Sequence, residues 1–295
     1  MKLAEARVTI VGLGLIGGSM AAGLRGRCAS LVGVDTDPDT LQLARDRAVV
    51  DRVETALEIG LGECDLTILA VPVRGILSIL ARIGHDLPTP KYILDVGSTK
   101  VEIVAAMRDL PARTDPLGGH PLCGKEISGL SAAEASLFRR KVFVLTPLDR
   151  TSQEMRQITD ELVSALGARP LVMDAQDHDR LLAATSHLPY ILAAILVACA
   201  DEVAASDPIL WELVASGFRD STRLAGSDIR MMMDILSTNR AEIESMIQKA
   251  RSILGLLEAA LQEGDFAALE TQLIRARGQR LQLEPGVTSR VEGGA

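Results

Sequence analysis

Short β-branched runs alternate with amphipathic stretches over the first half of the chain. "RVTIVG", "SLVGVD", "CDLTILAV" and "KYILDV" are separated by helical patterns, among them one through "GSMAAGLRG" and one from Pro38 to Ala48. That rhythm predicts βαβ units and a parallel sheet. Near-continuous apolar strands such as "LTILAV" fit a sheet covered on both faces. "KVFVLTP" at 141–147 reads as one more strand and "ARPLVMD" at 168–174 as the last, so a sheet domain is expected over residues 1–174.

From Ala175 the pattern changes to long amphipathic helices with almost no strand signal, such as "QDHDRLLAATSHLPYILAAILVACADEVA", "ILWELVASGFRDSTRLAG" and "RMMMDILSTNRAEIESMIQKARSILGLLEAALQEG". An all-helical second domain is expected over 175–285. Its helices carry Leu, Ile and Ala on more than one face, more apolar stripe than a small bundle buries alone, which points to a homodimer through this domain. Residues 286–295 lack an apolar period and are expected to fray.

Composition narrows the function. With 295 residues, 47% hydrophobic and 24% charged, the chain is long enough for two cores. A net charge of −8 argues against a nucleic-acid or anionic-membrane partner, so an anionic substrate needs local cations. The four cysteines show no CxxC or metal spacing, which reads as a reducing, cytoplasmic setting without disulfides or a metal. The apolar run "VTIVGLGLIGGSMAAGL" is broken by turn-spaced glycines and is short for a membrane span, and "ILAAILVACA" at 191–200 reads as a buried helix.

"GLGLIG" gives Gly12-x-Gly14-x-x-Gly17 directly after a strand and at the start of a helix, the context in which this pattern binds a dinucleotide. Gly12 permits the tight turn, Gly14 lets backbone approach a pyrophosphate, and Gly17 lets helix and strand pack closely. Leu15 and Ile16 lie in the same turn, where the helix N-terminus favours phosphate. Asp35 ends the second strand, where a carboxylate accepts hydrogen bonds from ribose hydroxyls and repels a 2′-phosphate. NAD is therefore favoured over NADP, with Arg45 or Arg47 able to soften that preference. Val71 and Pro72, after "LTILA", complete the expected cofactor set in a Rossmann-type domain. FAD fits less well, because no second FAD-type segment is evident.

Candidate chemistry gathers in a few motifs: "GSTK" at 97–100, "GGHPLCGKEISG" at 118–129, "DHD" at 177–179, "SHLP" at 186–189 and "FRDSTRLA" at 218–225. His120, in what reads as a glycine-rich loop, has three readings on its own: a base, a structural residue or a chance surface residue. Ser98 fits an N-cap for a helix starting near Lys100, and equally a ligand-facing hydroxyl at the sheet's carboxyl edge. Arg219 and Arg223 are four apart on one expected helix and share a face. His178 and His187 are nine apart, which places them on opposite faces of a regular helix, so both line one pocket only if the helix breaks. The simpler reading gives His187 and Ser186 the substrate side and leaves His178 near the domain junction as a hydrogen-bonding or structural residue. Lys100 reads as a solvated first-turn lysine, and His85 as a surface residue.

The order of these motifs resembles the prephenate/arogenate dehydrogenase family of tyrosine biosynthesis, over about residues 7–245. The resemblance implies NAD-dependent oxidative decarboxylation of a cyclohexadienol: hydride leaves the carbinol carbon while the ring carboxylate departs as CO₂. It implies His120 as the group that takes the hydroxyl proton, Ser98 as its orienting partner, and Arg223 as the substrate-binding arginine. Ser186, His187 and Tyr190 are implied on the substrate side. Two positions depart from the pattern: Tyr190 stands where many members have histidine, and Met232 where many have tryptophan. Both bear on whether the substrate is prephenate, arogenate or an amino-deoxy relative. A β-hydroxyacid dehydrogenase or imine reductase of similar plan is the alternative among enzymes, and a catalytically inactive nicotinamide-binding sensor the alternative outside them.

Overall fold

The computed structural model describes residues 1–62, 64–125 and 127–283. The tail expected over 286–295 lies outside the described residues. Eight strands, β1 (Arg7–Val11), β2 (Ser30–Val34), β3 (Arg52–Glu54), β4 (Leu66–Leu69), β5 (Tyr92–Asp95), β6 (Asp115–Pro121), β7 (Val142–Pro147) and β8 (Arg169–Val172), form one sheet. Their order is β3-β2-β1-β4-β5-β6-β7-β8. Every neighbouring pair is parallel except β6 with β7. β1, β4 and β5 are buried almost end to end, as strands covered on both faces must be.

Helices α1 (Leu15–Leu24), α2 (Pro38–Asp46), α3 (Leu57–Gly62), α4 (Val73–Arg82), α5 (Val101–Arg108) and α6 (Gln153–Ala165) provide those covers. Met20 and Leu24 of α1 join Met155, Ile158 and Leu162 of α6 in one core. Leu61 of α3, Ile76 and Leu80 of α4, and Ile103 and Met107 of α5 build the other. The mostly parallel, doubly covered sheet is the expected Rossmann type. Local chemistry starts its helices: Asp37 caps α2 with Pro38 in the first turn, and Ser152 caps α6. The chain leaves β1 toward β2 and β3, then crosses to β4 on the other side, which opens the crevice where such sheets bind ligands.

Two strands went unforeseen. β3 is a three-residue edge strand, too short for a periodic signal. β6 is the more consequential: "DPLGGHP" holds two prolines and two glycines, residues depleted from strands. His120 therefore sits on a strand, opposite Val144 of β7, and not in a glycine-rich loop.

The helical part contains α7 (Ala175–Leu182), α8 (Leu188–Ala204), α9 (Ser216–Thr222), α10 (Ile229–Thr238), α11 (Arg240–Glu263) and α12 (Phe266–Gln282). Residues expected as one helix over 209–226 divide into α9 flanked by 3₁₀ turns at Pro208–Leu213 and Arg223–Gly226. Asn239 leaves helical geometry and separates α10 from α11. The chain forms two compact units, Met1–Ile243 and Glu244–Ala295. In the second, no described residue is buried.

The apolar run at 191–200 was expected to be buried. Within a single chain it is not: Leu192, Ile195 and Leu196 are each more than two-fifths exposed, and of α8 only Ala193 and Ala204 are buried. The helical run Ala175–Ala204 is long and apolar enough to cross a membrane by length and composition alone. Its burial, on the homodimer expectation, comes from a second copy.

Candidate active site

The glycine turn is built as its sequence requires. Gly12 adopts φ +92, a region that disfavours side chains, and a Cβ there would press on the Ala70 carbonyl and Val71. A Cβ at Gly17 would collide with the Gly12 carbonyl, so helix α1 leaves the strand as closely as backbone allows. Gly14 is different: its missing Cβ faces open space, and as N-cap it offers no side chain to the first amides of α1. Those amides and that space fit a pyrophosphate. Asp35 holds the turn from the side, accepting from Leu13 N (2.7 Å) and Asp37 N (3.0 Å). A carboxylate has lone pairs left for ribose hydroxyls after those two bonds. Arg47 spends its guanidinium on the carbonyls of Leu130 and Ser131, and Arg45 donates to Gln42, so neither is committed to the Asp35 corner. Val71 is half-buried against this turn and Pro72 starts α4 beside it.

At the next strand end, one acid joins two of the sequence motifs. Asp95, the last residue of β5, is fully buried. It accepts from Gly97 N (2.8 Å), Gly119 N (3.2 Å) and the Lys100 ammonium. The residues immediately before Ser98 and His120 are thus fixed to a single carboxylate. Lys100 is also fully buried, so the expectation of a solvated lysine fails. Burial pushes the Asp95 carboxyl up and the Lys100 ammonium down, while their mutual attraction opposes both shifts. The glycines of β6 make the approach possible: a Cβ at Gly119 would lie 2.8 Å from the Asp95 carbonyl and 2.9 Å from Phe143.

The helical side meets this edge through a broken helix. Between α7 and α8, residues Ala183–His187 form a π turn in which Leu188 N–H bonds to the Ala183 carbonyl. Pro189, just beyond, has no N–H to give and crowds the preceding turn. A one-residue insertion of this kind rotates the helix by about 100°, so His178 and His187 end about 80° apart instead of opposite. Both are buried. His178 is a hydrogen-bonding histidine, as one of its readings had it, and its partner is the candidate base. Its Nε2 lies 2.9 Å from His120 Nδ1, and its Nδ1 lies 2.7 Å from Asp179 Oδ1.

Asp179 in turn accepts from the first amides of α5, Lys100 N (2.8 Å) and Val101 N (2.9 Å). Ser98 therefore does not cap α5; an acid from α7 does, and the half-buried Ser98 is left at the strand end. Asn239, at the α10–α11 break, donates to the Asp179 carbonyl (2.7 Å) and bridges to His187 Nδ1 at 3.2 Å.

These surroundings set the charge states. Burial, with His178, Lys100 and His187 nearby, lowers His120 well below the ordinary histidine value. The lowered value keeps the ring neutral at pH 7, and the residue keeps part of its surface accessible. Burial likewise pulls His187 down to about 4, partly offset by Asp179.

The other predicted residues lie on nearby elements. Tyr190 is half-buried on α8 and Ser186 exposed on the π turn. Arg223 is exposed at the start of the 3₁₀ turn that packs on α8, one turn beyond Arg219 of α9. Met232 is buried on α10, which packs on α4. His85 is exposed, as expected. Sequence reasoning missed Asp95 and Asn239, did not single out Asp179 within "DHD", and misread Lys100. An acid ending an apolar strand, "ILDV", was the available signal for Asp95, and "DHD" the one for Asp179.

The arrangement is a nucleotide cradle at the end of β1 and, three strands away on β6, a neutral histidine that keeps part of its surface accessible. Comparison with known proteins agrees. The family model "Prephenate dehydrogenase, nucleotide-binding domain" matches residues 20–172, and "Prephenate dehydrogenase, dimerization domain" matches 174–274. A prephenate dehydrogenase of Lactococcus lactis is 35% identical over 90% of this chain and 73% of its own. The structure of prephenate dehydrogenase from A. aeolicus, in complex with hydroxyphenyl propionate and NAD⁺, superposes with a TM-score of 0.88 at 27% identity, covering 96% of this chain and all of that one (100%). Synechocystis arogenate dehydrogenase gives a TM-score of 0.78 at 29% identity, covering 94% and 99% of the two chains.

Proposed function

The chain belongs to the prephenate dehydrogenase family, and from that premise we propose that it oxidatively decarboxylates a cyclohexadienol, prephenate or arogenate, in tyrosine biosynthesis. The observation that carries the proposal is the Asp95 carboxylate, which fixes the backbone immediately before both Ser98 and His120. Two independent motifs with the chemistry to orient and deprotonate a hydroxyl are thereby brought to one place.

NAD⁺ is the cofactor the cradle fits, and when bound it would supply the hydride acceptor. Gly12, Gly14 and Gly17 shape the turn for it, and Leu15 and Ile16 lie in the first turn of α1. Asp35 favours a free 2′-hydroxyl over a 2′-phosphate, and Val71 and Pro72 line the adjoining strand end. His120 accepts the 4-hydroxyl proton of the substrate; its Nδ1 is occupied by His178, so Nε2 is the atom that does so. Ser98 orients the same hydroxyl. Arg223 grips a substrate carboxylate, with Ser186, His187 and Tyr190 on the same side. As the ring carboxylate leaves and aromaticity is gained, the proton stays on His120.

The protein works as a homodimer through the helical part, taken as 175–285. The exposed faces of α8 and α12, with Leu192, Ile195, Phe266, Leu273 and Ile274, are what a second copy covers. All four cysteines are free, which suits a cytoplasmic enzyme. The deciding experiment measures kcat/KM with prephenate and with arogenate, each under NAD⁺ and NADP⁺. Turnover of one acid with NAD⁺ names the substrate; absence of turnover with both overturns the proposal.

A further inference from the structure

The hydrogen-bonded groups behind His120 form a directed chain, and its direction is fixed at one end. Asp179 accepts backbone N–H bonds on both oxygens, Lys100 N on Oδ1 and Val101 N on Oδ2, as an ionised carboxylate does. A carboxylate in that state only accepts, so the contact of its Oδ1 with His178 Nδ1 requires the proton to be on Nδ1. A neutral His178 then has a bare Nε2. The 2.9 Å contact of that atom with His120 Nδ1 is a hydrogen bond only if His120 carries its proton on Nδ1. What remains bare is His120 Nε2.

We propose that His178 and Asp179 are positioning residues that hold His120 in the Nδ1–H tautomer, so that Nε2 is presented as a base. The proposal rests on His120 being the proton acceptor. The opposite arrangement, a doubly protonated His178 donating to His120 Nδ1, leaves His120 with its proton on Nε2, where it cannot take another. The two arrangements exclude each other.

The N-terminus of α5 is what selects between them. Its amides and the partial positive charge of the helix end compensate Asp179 before His178 does. The carboxylate orients the imidazole without drawing a second proton onto it. Lys100, buried nearby, disfavours a positive charge on His120 itself. Once His120 has taken the substrate proton, its Nδ1–H still points at His178 Nε2, and Asp179 stands behind as the counter-charge. None of this is visible from spacing, because it needs the π turn to bring His178 inward.

Two substitutions separate positioning from packing. In H178Q the amide oxygen can stand near the lost Nε2 and accept from His120; H178M has similar bulk and no strong acceptor. The tautomer is read by ¹H–¹⁵N correlation on ¹⁵N-histidine-labelled full-length enzyme, where only four histidines must be assigned and H120N identifies the signal. The expected result is an Nδ1–H, bare-Nε2 signature for His120 in the parent and in H178Q. H178M should lose it, with kcat/KM at least about tenfold below that of H178Q. A His120 protonated on Nε2 in the parent, or equal tautomers and rates in H178Q and H178M, overturns the proposal. Full turnover by H120N instead removes the base role itself, while the tautomer signal still reports on the chain behind it.

Discussion

Lys100 ion-pairs with Asp95 at the bottom of the site, with neither side chain exposed. Through its backbone amide the same lysine binds Asp179, so one residue links the sheet edge to helix α7. A buried pair of this kind costs little net stability intact but a great deal when one partner is removed, because the other charge stays uncompensated. K100M should therefore destabilise the protein by about 3–5 kcal/mol, read from urea denaturation midpoints. D95N combined with K100M should recover part of that loss, whereas two independent surface contributions would simply add.

The lowered His120 value gives a pH signature. A neutral imidazole is needed to take the proton, and kcat/KM reports the free enzyme's ionisations. The groups around the ring, His178, Lys100 and His187, and its burial all keep the proton off. The acid limb of log kcat/KM should bend at a pH clearly below 6.5, the ordinary histidine value. A limb centred at or above 6.5 contradicts the role given to burial.

His187 makes a stability prediction of definite sign. Its folded value is about 4, below the unfolded value, so the unfolded chain takes up the proton first as pH falls. The contribution is fully present above about 6.5 and is lost progressively between about 6.5 and 4, at most about 3 kcal/mol. Asn239 reinforces the neutral form, since its amide nitrogen, anchored by the Asp179 carbonyl, faces His187 Nδ1 as a donor. H187Q should flatten the stability curve over that interval in denaturation series at stepped pH.

Arg223 tests the substrate clamp. Loss of a charge-assisted, two-pronged contact is worth about 1.5–3 kcal/mol, or about 10- to 100-fold. R223A should raise KM or lower kcat/KM by that factor with little change in NAD⁺ affinity, and R223K should restore only part, because an ammonium lacks the fork. An R223A enzyme with unchanged KM for both acids would remove Arg223 from the site.

How much of this was readable from sequence depends on the kind of signal. The glycine turn and Asp35 were legible because each residue answers a local backbone requirement next to a strand. The parallel strands were legible from their apolar runs. β6 was not, since its glycines and prolines hide the strand whose end carries His120. Nor were the partners of His120: Asp95 and Asp179 act across sequence separations of 24 and more residues, and the phase shift at the π turn reverses what regular helical spacing implies for His178. The order of the motifs singled out His120, whereas spacing alone did not show that His178 stands directly behind it.

That hidden strand supplies the last prediction. Gly119 precedes His120, and its position is closed by the Asp95 carbonyl at 2.8 Å and Phe143 at 2.9 Å from where a Cβ would stand. One of those neighbours is backbone of a central strand and cannot swing away, so G119A must open the β5–β6 pairing or tilt Phe143. Overpacking of this sort costs about 1–3 kcal/mol. The displacement falls on the amide that binds Asp95 and on the next residue, His120, so kcat should fall more than stability alone implies, by about 100-fold for a shift near 1 Å. G124A is the control: its Cβ would meet open space, in a segment beyond the strand. Measured side by side by thermal unfolding and turnover, G119A should lose both stability and kcat and G124A neither. If G119A keeps full kcat, the close approach of β6 to Asp95 is not what places His120.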